Sequence, residues 1–183
     1  MKFQRKVFTL TAITATAFGL AACTVPVEGT RYGTLVQEHK VTRSIDHDLL
    51  TEMQNEGVQV IQQGSRLILV LPTDKFFVLT STQLKDRQAP TLEMISLYLR
   101  NYIKKHHTVF PIKVYAYTDE VPTRADRYDY SNQYAQVIAA YMWSHGFTPQ
   151  QMQVVGYGAE HAIANNRTAA GSAYNRRVVI QVN

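Results

Sequence analysis

The sequence predicts an α+β domain: a β-hairpin followed by a βαβαββ-type order, giving a mixed sheet with helices packed on one face. Three observations carry this. Two β-branched and aliphatic runs, Val58 to Ile61 and Arg66 to Leu71, flank a Gln-Gln-Gly-Ser segment that suits a tight turn. Two longer stretches, one opening at Pro90 and one running past Tyr130, repeat apolar residues at the helical period. Shorter runs at Pro111 to Tyr117, Met152 to Tyr157 and Arg177 to Val182 read as strands, and strands alternating with helices stack as a sheet under a helical layer.

Taken in order, Ser44 to Glu56 suits a short helix. Ser44 is its N-cap, Asp46 and Asp48 lie in its first turn, and Gly57 is a stop. The hairpin follows, with Gly64-Ser65 as its turn, and then a short apolar piece, Phe76, Phe77 and Val78. Pro90 sits at a tolerated first-turn position of the next helix. Leu92, Ile95, Leu99, Tyr102 and Ile103 form its buried stripe, and Lys104 and Lys105 suit its C-terminal end. After the strand to Tyr117, a second helix presents Tyr130, Tyr134, Val137, Ile138, Tyr141 and Met142 on one face and stops at Gly146. Between the strand ending at Tyr157 and the last strand the sequence reads as a loop. There is no internal repeat and no low-complexity tract.

Ahead of the domain, Lys2, Arg5 and Lys6 precede a short apolar stretch, Phe8 to Leu20, and then Leu20-Ala21-Ala22-Cys23. This is the layout of a secretory signal peptide. The small residues before a single cysteine resemble a bacterial lipobox, which implies acylation of Cys23 and cleavage before it. The stretch is too short and too rich in threonine for a spanning helix. The division expected is a cleaved leader at 1–22, a lipidated N-terminus and extended tether at 23–43, a short helix at 44–56, and the domain at 57–183. The covalent lipid on Cys23 is the only prosthetic group expected. Thr24, where retained lipoproteins commonly carry Asp, implies the outer membrane, with the domain on its periplasmic face.

Cleavage would leave 161 residues. The leader holds three of the 19 basic residues and none of the 14 acidic ones, so the net charge falls from +5 to +2. That removes the main support for a nucleic-acid partner. With its one cysteine acylated, the chain has none for a disulfide, so stability must come from a packed core.

Several segments of the domain resemble the OmpA-like family, the periplasmic modules that bind peptidoglycan. They are Leu71-Pro72-Thr73-Asp74-Lys75-Phe76; Tyr117-Thr118-Asp119; Ser131 with Ala135 and Val137; Val155-Gly156-Tyr157-Gly158; and Asn175-Arg176-Arg177-Val178. The resemblance covers roughly Val58 to Val182. It implies an envelope-scaffolding role, with contacts to peptidoglycan or to neighbouring subunits. The lipoprotein leader adds a narrower resemblance, to a structural lipoprotein of the outer-membrane core of the Dot/Icm type IVB secretion system.

The ligand the resemblance implies is the diaminopimelate end of the stem peptide, which carries one ammonium and one carboxylate. Recognition needs an anion for the first and a guanidinium for the second, since a guanidinium donates two parallel, charge-assisted hydrogen bonds to a carboxylate. Asp119 matches the family's acid, and Thr118 precedes it. The family's helix arginine is replaced by Tyr134, directly before Ala135, and a phenol cannot stand in for a bidentate cation. Arg127 or Arg124 could supply the charge; otherwise binding persists weakly, or the domain binds protein instead. The departure at Tyr134 favours the structural subunit of a secretion core over the alternative, a plain peptidoglycan anchor, which needs Arg124 or Arg127 near Asp119. Arg176 is a further binding candidate. The plainer readings are a turn or cap role for Asp119, core packing for Tyr134, and half-buried packing for most of the other tyrosines in a chain that has eleven. Large amphipathic rings also suit interfaces and sugar faces. Adjacent His106 and His107 make a poor metal site, and Asp126 and Asp129 have no catalytic partner. No nucleophile triad, P-loop or zinc spacing appears, so the protein is not expected to be an enzyme.

Overall fold

The computed structural model describes residues 45–107, 111–120 and 123–183; the leader, Cys23, Thr24, the tether and Ser44 lie outside them. Helix α1 (residues 45–55) is held to the later helix α3 by the Asn101 side-chain amide, which donates to Asp46 at 2.9 Å. The hairpin strands β1 (Gln59–Gln63) and β2 (Arg66–Pro72) pair antiparallel with Gln63 opposite Arg66. Gly64 takes φ +62° in the two-residue turn, the left-handed region that glycine enters without steric cost.

A one-turn helix α2 (Thr73–Phe76) leads through a 3-10 turn into α3 (Ala89–His106), with Pro90 in its first turn. Its buried stripe is Leu92, Ile95, Tyr98, Leu99 and Tyr102. His107 caps the helix in the left-handed region, and His106 stacks on Tyr102 with ring centroids 4.2 Å apart, so the paired histidines finish a helix. Then come β3 (Ile112–Tyr117), α4 (Arg124–Ser144), β4 (Met152–Gly156), α5 (Ala169–Asn175) and β5 (Arg177–Val182).

The five strands form one mixed sheet in the order β1-β2-β5-β3-β4, antiparallel throughout except for the parallel β3–β4 pair. The last strand is therefore central, between β2 and β3. Period-two alternation sends Leu67, Leu69, Leu71, Val114, Ala116, Val178 and Ile180 inward, each fully buried under α3 and α4. Each of these leucine, valine and isoleucine side chains contributes about 1.5–3 kcal/mol of transfer free energy, and the Ala116 methyl less. The alternate residues face outward and are half-buried or exposed, except Arg177, which is buried.

Two sequence expectations change. The segment read as a loop before the last strand contains α5, capped by Thr168, whose hydroxyl accepts from the Gly171 amide. The buried stripe of α4 is Ser131, Ala135, Ile138, Ala139 and Met142, while Tyr130, Tyr134, Val137 and Tyr141 form its half-buried margin. Small residues lie at the centre because α4 approaches the sheet closely. A Cβ on Gly156 would stand 2.2 Å from the Asn132 backbone nitrogen. No helix among the described residues is long and apolar enough to cross a membrane.

Candidate functional site

The site lies where three chain segments meet beyond the ends of β2, β3 and β5. Asp119 follows β3 and is 4% exposed. It is placed by Thr118, whose backbone N–H donates to the Gly158 carbonyl at 2.7 Å. Gly158 is itself held by α4: its N–H donates to the Ser131 hydroxyl at 2.9 Å, and the Ser131 hydroxyl donates to the Tyr128 carbonyl. Ser131 is wholly buried, so this hydroxyl ties the helix start to the loop after β4.

Arg176 joins Asp119 to Asp74. Its Nη1 donates to Asp119 Oδ2 at 2.5 Å, and its Nε and Nη2 donate to the two oxygens of Asp74 at 2.8 and 2.5 Å. The Asp74 pair is the parallel two-bond arrangement that suits guanidinium and carboxylate. The backbone assists, because the Thr73 N–H donates to the Arg176 carbonyl at 3.0 Å. The Arg176 pKa is driven up, first by the Asp74 hydrogen bonds and then by those to Asp119, against the opposing effect of burial. About a third of the Arg176 side chain remains exposed. Of its five N–H groups three are engaged in these bonds, which leaves two directed elsewhere.

Tyr134 packs against Phe77 with centroids 4.6 Å apart. Burial raises its pKa, as does the charge of the neighbouring carboxylates Asp74 and Asp119, while Arg176 opposes them. The phenol thus lies within the field of the whole cluster. Arg127 donates to the Glu120 backbone carbonyl beside Asp119. Arg124 acts on the Tyr128 hydroxyl, which donates to Glu160. Thr118 is buried, and its hydroxyl has no hydrogen-bond partner among the described residues.

The structure therefore brings Asp119, Arg176 and Tyr134 together with Asp74. Sequence reasoning placed Asp74 only within a motif; the signal available was an acid just after a strand end. Asn175 was likewise only a motif letter. It is fully buried, its Oδ1 accepts from the Ile163 and Ala164 N–H groups, and its Nδ2 donates to the Ala164 carbonyl and to Asn166 Oδ1. It locks the loop before α5. Arg177, next in sequence to Arg176, opens β5 on the outward face of the sheet. It lies 4.0 Å over the Tyr117 ring and donates to the carbonyls of Asn175 and His161. No cluster of metal-ligating side chains occurs among the described residues.

The model of the OmpA family matches residues 76–176, more than half of the chain. The chain belongs to the OmpA family. Among its relatives, the probable lipoprotein YiaD of Escherichia coli (strain K12) is 32% identical over 132 residues, which cover 72% of this chain and 58% of YiaD. The peptidoglycan-binding protein ArfA of Mycobacterium tuberculosis (strain ATCC 25618 / H37Rv) is 35% identical over 72 residues, 39% of this chain and 22% of ArfA. The chain thus spans less than two thirds of either relative's length. The solved structure of the cell wall anchor of the T6SS from Pseudomonas aeruginosa superposes with a TM-score of 0.64 at 23% identity, covering 75% of this chain and 95% of that one. It shares the α+β fold described above.

Proposed function

We propose that the protein is a lipid-anchored scaffold of the cell envelope. Acylated Cys23 holds it to the outer membrane, and the OmpA-family domain holds peptidoglycan from the periplasmic side. The observation that carries this is the Asp74–Arg176–Asp119 cluster. The two carboxylates can receive a ligand ammonium, and the two remaining N–H groups of Arg176, whose side chain is about a third exposed, can donate to its carboxylate. Arg176 thereby supports the charge requirement left open by Tyr134. The relative named for peptidoglycan binding supports the same ligand class. The chemistry needed is binding rather than bond cleavage, so the reading is non-enzymatic.

The experiment is co-sedimentation of the full-length protein, in detergent, with diaminopimelate-type sacculi, beside Asp119→Ala and Tyr134→Arg. Binding by the wild type, lost in Asp119→Ala, is expected. Absence of wild-type binding sinks the reading. A second reading has its own observation: the helix arginine of the resemblance is Tyr134 here. Binding gained only in Tyr134→Arg would favour a domain that serves as a protein-contacting subunit, such as one in a type IVB secretion core.

A further inference from the structure

The outward face of the sheet is ordered into three rows across β5, β3 and β4. The register places Gln181, Lys113 and Gln153 in one row and Val179, Tyr115 and Val155 in the next. The third is Arg177 and Tyr117, extended by Tyr157, which lies just past the end of β4 and whose N–H donates to the Ala116 carbonyl. Here Arg177 lies over the Tyr117 ring, Tyr117 stacks on Tyr157 at 5.5 Å, and Tyr115 meets Tyr157 edge-on at 5.3 Å. All three tyrosines are half-buried, and no side-chain hydrogen bond ties their hydroxyls to another described residue. The rings are held by one another and by a buried guanidinium, so presenting them costs little side-chain entropy.

We infer that this face is a carbohydrate platform that takes the N-acetylated glycan strand of the wall, alongside the stem peptide held at the Asp74–Arg176–Asp119 cluster. The inference rests on the reading of that cluster given above. Three features select a glycan. Apolar and aromatic surface in the middle, with amides along one margin, matches a sugar chain, whose rings have apolar faces and a hydrogen-bonding perimeter. None of the five strands contains an acidic residue, so the face presents Lys113, with no strand carboxylate beside it, to a polymer whose substituents carry carboxylates. The same ammonium opposes pairing with a second copy of this face. Finally, the platform is continuous with the cluster. A groove of about 320 Å³, walled by Val70, Ile163 and Tyr174, is lined by both Arg176 and Arg177. Strand spacing of about 4.8 Å makes each three-strand row about 10 Å long, enough for sugar units to lie across it.

The test is calorimetric titration of the full-length protein in detergent with two probes: peptide-free glycan strands prepared from sacculi, and a soluble diaminopimelate-containing tripeptide. Tyr115→Ala and Tyr157→Ala are expected to weaken glycan binding at least about tenfold, or 1.4 kcal/mol, with tripeptide binding unchanged. Tyr157→Trp, which keeps a stacking face, should retain glycan binding and serves as the comparison if an alanine variant melts early. Asp119→Ala should show the converse, losing tripeptide and keeping glycan. No glycan binding by the wild type, or glycan binding undiminished in both alanine variants, overturns the inference while leaving the cluster's role intact. Absence of tripeptide binding by the wild type, with glycan binding retained, would instead count against the cluster. A dimer that Tyr115→Ala dissolves and glycan does not would also overturn the inference.

Discussion

Replacing Gly156 by alanine tests how the site is supported. Its φ is not in the left-handed region, so the backbone accepts alanine; the obstacle is the approach of α4. The new Cβ would stand 2.2 Å from the Asn132 nitrogen, 2.5 Å from Ser131 Oγ and 2.6 Å from the Ser131 carbonyl carbon. Two of these are backbone atoms that no rotamer change moves aside, so the helix turn must retreat by about 1 Å to reach ordinary contact. Overpacking of this kind costs about 1–3 kcal/mol. The same retreat stretches two hydrogen bonds, from the Gly156 N–H to Asn132 Oδ1 and from the Gly158 N–H to Ser131 Oγ, each now 2.9 Å. These contribute about 0.5–1.5 kcal/mol apiece. Against this, the lower unfolded-state entropy of alanine returns about 0.4–1 kcal/mol. The expected net loss is about 3 kcal/mol, read by urea denaturation, with a fall in Tm of roughly 10 °C for a domain of this size. Gly64→Ala is the control. It meets nothing within 4 Å and carries only the positive-φ penalty of about 1 kcal/mol. A Gly156→Ala loss no greater than that of Gly64→Ala would refute the close-approach argument.

Other outcomes follow from the same structure. Asn175→Ala removes four hydrogen bonds at a fully buried position and should cost about 3 kcal/mol. Hydrogen exchange should show the Ile163 and Ala164 amides losing protection first. Burial raises the pKa values of Tyr98, Tyr102, Tyr115, Tyr117, Tyr134 and Tyr141 above 10.0. The native state then holds these protons more tightly than the unfolded chain does. Their stabilising contribution is complete below pH 10 and is lost as pH rises through the folded-state values. Denaturation midpoints should fall above pH 10, and ultraviolet titration should show a late-ionising set of tyrosines; normal ionisation with constant stability would contradict the burial described.

Much of this architecture was legible in the pattern of residues. The hairpin announced itself through aliphatic runs around Gly64, and α3 through Pro90 and the stripe from Leu92 to Tyr102. The margins of α4 were legible too, because large residues mark a helical period clearly. Its true contact face was not, since Ser131, Ala135 and Ala139 carry little hydrophobic signal and are selected by nearness to Gly156. Helix α5 escaped because Ala169–Asn175 is short and contains glycine and serine, both weak helix formers. At the site, Asp119 was visible in its motif. Its guanidinium partner could not be assigned between Arg124, Arg127 and Arg176, because only the sheet brings residues 57 positions apart into contact. Sequence distance hid Asp74 more completely, at 102 positions from Arg176.

The central place of β5 has a consequence for how the chain is made. Ribosomes release the hairpin and the β3–β4 half long before Arg177–Val182, yet those halves have no strand-to-strand contact until β5 enters between them. The β2–β5 pairings that close the sheet span more than a hundred residues and the β3–β5 pairings at least 60, a high contact order that slows closure. Until then β2 and β3 each keep a bare edge, able to pair with other chains. A nascent chain of this design keeps both edges open until β5 is free to enter.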